Sequence, residues 1–209
     1  MKSLIIPVLT LVILLMWCNK PQNENISELS ESSQSVSMNQ RVKKALEFCL
    51  REDYNTNHCI LVDMSLHSGK KRLHLWDFNN KEIINSYLVS HGCCENQWSR
   101  DETRNSPTFK NTKDSHCSSL GKYRIGDRGW SSFGVNINYR LHGIEPSNSN
   151  AFDRNIVFHS WDMVDDEEPY PAGTPEGWGC PAISNKAFLE IDPYLKDTSK
   201  PTLFWIYQN

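Results

Sequence analysis

Between residues 42 and 50, Val42, Ala45, Leu46, Cys49 and Leu50 form a regular series of apolar positions. The spacing i, i+3, i+4, i+7, i+8 puts them on one face of a helix, so "NQRVKKALEFCLRE" is expected to form a short helix packed on a domain flank. From Cys59 the rhythm changes to apolar and β-branched runs separated by turn residues, which is the pattern of strands. "CILVDMS", "RLHLWDF" and "KEIINSYLVSHG" come first, with Asn79 and Asn80 supplying hairpin-turn chemistry between the second and third. "SSLGKYRIG", "GVNINYRLHGIE", "NIVFHS" and "TLFWIYQ" follow. After Cys180 a helix is expected, with Ser184 as N-cap, Phe188 and Ile191 turned inward, and Pro193 ending it. The sum is a mostly β domain with a few short helices and no repeats.

The ends of the pattern set the domain limits. Residues 1–18 place Lys2 before an apolar run that closes at Cys18, an export signal or membrane anchor in its layout. The run is shorter than the roughly 20 residues that span a bilayer comfortably. A cysteine in that place is where a lipoprotein would be lipidated, although Trp17 stands where processing wants a small residue; lipidation, an uncleaved short anchor and a different cleavage all stay open. Residues 19–38 are rich in Ser, Asn, Gln and Glu and read as a flexible polar linker, which leaves 39–209 as the folded domain. Inside it, the polar stretch between Gly92 and Cys117 is longer than a compact domain keeps without a use for it.

Composition adds exclusions. A formal net charge of −3 with no long basic block gives no footprint for nucleic acid. Seven cysteines in an exported chain need sorting, because an oxidising compartment pairs exposed thiols. With Cys18 set aside and Cys180 free, Cys49, Cys59, Cys93, Cys94 and Cys117 cannot all pair. His91, Cys93, Cys94, His116 and Cys117 match none of the usual zinc spacings, and no metal is expected.

The chemistry concentrates in "FHSWDMVDDEEPYPAGTPEGWGCPAIS", residues 158–184. A thiol attacks as thiolate, so a catalytic cysteine needs a base in reach and amides to hold the oxyanion. His159 ends a strand, and the loop after it is long enough to return Cys180 to its side. Pro181 has no N–H, so an oxyanion hole here must use the amides of Cys180, Gly179 or Trp178. His159 and Cys180 alone would also fit a buried imidazole and a structural thiol.

The wider pattern is informative. "HS…GWGCPAIS", with "ILVDMSLHSGKKRLHLWDF", "YLVSHG", "SSLGKYRIG" and "YRLHGIEPSNSNAFDRNIVFHS" upstream in the same order, resembles the murein L,D-transpeptidase catalytic domain family (YkuD-like) from about residue 40 to the C-terminus. The resemblance implies a β-sandwich or barrel-like fold, Cys180 as nucleophile, His159 as base, and Ser160 as the residue whose carbonyl orients the imidazole. It implies peptidoglycan stem peptides as substrate, an acyl-enzyme thioester resolved by an amine into a 3→3 crosslink or by water in an L,D-carboxypeptidase, and no cofactor; together with the N-terminal anchor read above, the expectation is a monomer held at the membrane. A domain that binds peptidoglycan without catalysis is the third reading. The chain departs from the family pattern at Gly177 and Trp178, where Ser or Thr and a second His are usual, and at Ala182, where a polar residue is usual.

Gly179, Trp178 and Arg154 are the candidates for oxyanion or substrate binding, Arg154 through bidentate pairing with a stem carboxylate. His91 and His142, each before a glycine at a strand end, are possible cleft residues, with strand capping as the alternative. The acidic run from Asp162 to Glu168 reads as a solvated edge.

Overall fold

The computed structural model describes residues 38–196 and 198–208, so the export signal and nearly all of the linker expected from sequence lie outside the described residues. The first described element, α1 (38–51), buries Ala45 and Cys49 but leaves Leu50 exposed. Eight residues after Val42 an α-helix has rotated roughly 80° past its starting line, enough to carry Leu50 off the packed face. Among the described residues no helix is long and apolar enough to cross a membrane.

Each of the seven apolar runs contains a strand: β1 (His58–Asp63), β2 (Leu73–Asp77), β3 (Glu82–Tyr87), β4 (Gly121–Trp130), β5 (Ile137–Gly143), β6 (Val157–Ser160) and, at the far end, β8 (Leu203–Tyr207). β7 (Ala182–Ile183) has only two residues and no signal that periodicity could pick out. All eight strands lie in one sheet in the order β3-β2-β1-β8-β4-β5-β6-β7. β8 runs parallel to β1 and antiparallel to β4, and buries all five of its residues, as a central strand covered on both faces must. Beyond β3 the chain reaches β7: the Ser90 amide donates to Ala182 O at 2.8 Å, and Gly92 bridges Gly177. These contacts draw the two ends of the sheet together, and the fold is barrel-like.

At the β2–β3 turn the acceptor is Asp77, whose Oδ1 takes the amides of both Asn79 and Asn80, while Lys81 adopts the positive φ. The other helix, α2 (Asn185–Leu195), starts as expected, with Ser184 Oγ accepting from the Ala187 amide. It does not end at Pro193. The helix runs through it, because the bond a proline removes is the one to Leu189, and both residues lie on the exposed side where water can replace it. Phe188 and Ile191 enter the core, Phe188 against Phe158 and Tyr139. Phe158 thereby anchors β6 from the core side, and strand alternation turns the next residue, His159, to the other face.

Candidate active site

β6 and β7 pair in parallel with His159 opposite Ala182, which brings the end of "NIVFHS" beside the turn that holds Cys180. Both side chains line one cavity of about 270 Å³, with Ser90, Trp98, Phe133, Trp161, Gly177, Trp178 and Ala182. His159 Nδ1 lies 2.8 Å from the carbonyl oxygen of Ser160. A carbonyl can only accept, so Nδ1 carries the hydrogen and Nε2 is left as the basic nitrogen. Burial lowers the imidazole pKa below its ordinary 6.5, against the opposing effect of the Ser160 carbonyl. Ser160 also fixes its surroundings, its Oγ accepting from the Val135 amide at 2.9 Å.

The Cys180 sulfur accepts the Val157 amide at 3.4 Å, and its S–H donates to Asn155 O at 3.9 Å. Burial pushes the thiol pKa above the ordinary 9.0, while the Val157 amide and the charges of Arg154 and Arg140 pull the other way. Both shifts favour the neutral forms, thiol and imidazole. Gly179, one residue earlier, has φ +97°, and a Cβ there would stand 2.5 Å from Cys117 O, so only glycine fits. The amides of Trp178, Gly179 and Cys180 donate to no acceptor among the described residues, which leaves the N–H groups anticipated for an oxyanion uncommitted.

Rings build the cavity wall. Trp161 stacks on Trp98 (5.5 Å between centroids), Trp98 meets Trp178 at 6.1 Å, Trp178 stacks on His116 at 5.1 Å, and Phe133 sits 5.2 Å from the His159 ring. Trp98 gives the long polar segment its use: the loop carries this ring to the cavity, and a disulfide between Cys94 and Cys117 ties the loop's two ends. Cys49, Cys59 and Cys93 are buried free thiols. Among the described residues no group of three or more His, Cys, Asp or Glu side chains is placed to hold a metal ion.

Three of the expected site residues stand elsewhere. Arg154 does not line the cavity: its Nη1 donates to Lys110 O and Ser119 Oγ, and its Nη2 to Cys117 O and Ser115 Oγ, so the fork proposed for a carboxylate is spent on the 110–119 segment. His142 lies outside the cavity, stacked on Phe152 at 5.3 Å. His91 is fully buried in a polar network that sequence reasoning missed. Its Nδ1 accepts from Arg72 Nη2 at 2.9 Å, and its Nε2–H donates to Thr103 Oγ1 at 2.8 Å. Thr103 in turn donates its amide and hydroxyl to Glu176 Oε1, both at 2.6 Å. Burial works to raise the Glu176 carboxyl, but hydrogen bonds from His91 and Thr103 overcome it and hold the group below the usual carboxylate range. Burial alone pushes Arg72 down to about 9, with Asp63 and Glu176 opposing. The acidic run is likewise engaged: Asp162 accepts from Asn185, Asp166 from Ser184, and Glu168 from Lys70.

This network holds the loop that leads to Cys180, since the Glu176 amide donates to Arg100 O and the Gly177 amide to His91 O. Arg72→Met, of similar length but without charge, strands Glu176 and unpairs the carbonyls of Val89 and Leu66. The expected cost is about 3–5 kcal/mol of stability, read from urea unfolding. A loss under about 1 kcal/mol would show that the charge is not needed there.

A profile of the L,D-transpeptidase catalytic domain matches residues 30–206. The chain belongs to this family. The L,D-transpeptidase match starts at residue 30, inside the stretch read as linker. No curated protein matches the chain by sequence. Among solved structures, Bd1075 of Bdellovibrio bacteriovorus is similar at 18% identity and TM-score 0.42, over 75% of this chain and 49% of its own. An L,D-transpeptidase from Xylanimonas cellulosilytica is similar at 11% identity and TM-score 0.38, over 77% and 68%. The helical cell shape determining protein Pgp2 from Campylobacter jejuni is similar at 12% identity and TM-score 0.42, over 78% and 55%. The chain thus spans about half the length of the first and third of these.

Proposed function

We propose that this L,D-transpeptidase-family protein is a cysteine acyltransferase that acts on peptidoglycan stem peptides and forms 3→3 crosslinks. The observation that carries the reading is one cavity holding both Cys180 and a histidine whose Nε2 is freed for base work by the Ser160 carbonyl. The thiol leaves the Asn155 carbonyl by rotation about χ1 and gives its proton to His159 Nε2 as sulfur attacks the carbonyl before the terminal D-Ala. The oxyanion falls to the uncommitted amides of residues 178–180. His159 returns the proton to the leaving amine, and a thioester on Cys180 remains. The amine of a neighbouring stem then attacks the thioester, Nε2 takes its proton, and the thiol is released as the new amide forms. Walls of tryptophan favour amine over water by keeping the thioester dry.

The composition of residues 1–38 supports export and a tether to the envelope membrane, with Cys18 as the attachment point. The test is to incubate isolated cell walls with the enzyme, digest them and separate the fragments. Dimers joined 3→3 are the expected product; tripeptides without dimers would make the protein an L,D-carboxypeptidase, and unchanged walls would overturn both.

A further inference from the structure

Ser90 is the one hydroxyl among the side chains lining the cavity, and it lies on the chain that extends β3, far in sequence from His159 and Cys180. It is fully buried and brackets the turn at the nucleophile. Its amide donates to Ala182 O at 2.8 Å, and its Oγ accepts the Ala182 amide at 3.1 Å. With that lone pair committed, the hydroxyl proton remains. Its acceptor in the protein is Cys180 O at 3.5 Å, a bond at the outer limit of length. A substrate carbonyl at ordinary hydrogen-bond distance would take this proton in preference.

Across the cavity, Gly177 faces the same space. A Cβ built on it would lie 4.0 Å from both Ser90 Oγ and Cys180 O, with nothing nearer, and its φ is not in the left-handed region. A hydroxymethyl group at 177 would therefore fit unstrained and reach the spot that the Ser90 hydroxyl now serves.

We propose that Ser90 is a positioning residue of the site: its hydroxyl steadies the Cys180–Ala182 turn and donates to a carbonyl of the acyl donor, in place of a side chain that position 177 lacks. This rests on the acyltransferase reading given above. A substrate is thus held by a donor from outside the His159 to Cys180 segment, and that donor recognises a peptide carbonyl rather than a charge.

The test compares wild type, Ser90→Ala, Gly177→Ser and the double variant Ser90→Ala/Gly177→Ser. Acylation of Cys180 by a carbapenem is followed by intact mass, and alkylation of Cys180 by iodoacetamide is followed by peptide mapping. Ser90→Ala is expected to slow acylation about 10- to 100-fold, to change alkylation less than about 2-fold, and to recover most of the acylation rate when Gly177→Ser is added. Acylation of Ser90→Ala at the wild-type rate would overturn the proposal. So would equal losses in both reactions with no recovery in the double variant, the signature of a merely structural role. If wild type itself is not acylated, the acyltransferase reading fails and takes the substrate contact with it. The grip on the turn is then read from hydrogen exchange of the Ala182 amide, expected to speed up at least about tenfold in Ser90→Ala; unchanged exchange would remove that half as well.

Discussion

Cys180→Ala is expected to lose all covalent capture of a carbapenem while keeping the wild-type fold. In intact-mass measurements the wild type gains one adduct, and the variant gains none at any concentration or time. The fold should survive because the sulfur's interactions are weak: one amide at 3.4 Å and one carbonyl at 3.9 Å, from the adjoining strand segment. Among the described residues the other free thiols, Cys49, Cys59 and Cys93, are buried, and burial raises the pKa of each, Cys49 to about 12. None of them should substitute for Cys180. An adduct that persists in the variant would place the nucleophile elsewhere and dismantle the proposed mechanism.

His159→Gln should lower the acylation rate about 10²- to 10⁴-fold, the range typical of losing a positioned general base. The pH dependence carries more information than the size of the loss. The imidazole must be neutral to accept a proton, and its pKa is depressed by burial, so in the wild type activity falls with acid only below the ordinary histidine value of 6.5. The thiol pKa is raised, so no alkaline change is expected before about pH 9. Between these limits the profile should be flat. A preformed thiolate and imidazolium pair predicts a different profile, with both groups shifted in the opposite sense. In His159→Gln the acid limb should vanish, and the residual rate should climb with thiolate fraction as pH rises toward 9 and above. A wild-type acid limb above 6.5, or a variant that keeps the limb, would remove His159 from the role of base.

How much of this could be read from residues alone depended on whether a pattern was local. Runs such as "CILVD" and "LFWIY" announce strands because burial on both faces demands unbroken apolar sequence, and those strands are where expected. That His159 and Cys180 would share one cavity was readable because a strand end and a glycine-bounded cysteine sit in one short segment. Ser90, Trp98 and Phe133 were not, since they reach the cavity from separate segments. A serine after an apolar run carries no mark of what faces it 92 residues later. Arg72 and Glu176 drew no notice for a different reason: charged residues are normally at the surface, and only tertiary structure shows that this pair is sealed in with His91 and Thr103 between them. Arg154 was singled out as a candidate for binding a stem carboxylate, but its guanidinium is taken up by the carbonyls of Lys110 and Cys117 and the hydroxyls of Ser119 and Ser115.

The place of β8 in the sheet has a consequence for when the site comes into being. It joins β1 to β4, and without it the two halves of the sheet, β1 to β3 and β4 to β7, would meet only through the Ser90–Ala182 and Gly92–Gly177 contacts. His159 and Cys180 belong to the second half, and Ser90 follows the first. Residues 203–207 lie in the sheet between the two halves, so that strand joins the part that Ser90 extends to the part that carries Cys180. Assembly therefore waits on the most sequence-distant pairing in the molecule, so the domain should fold slowly and late.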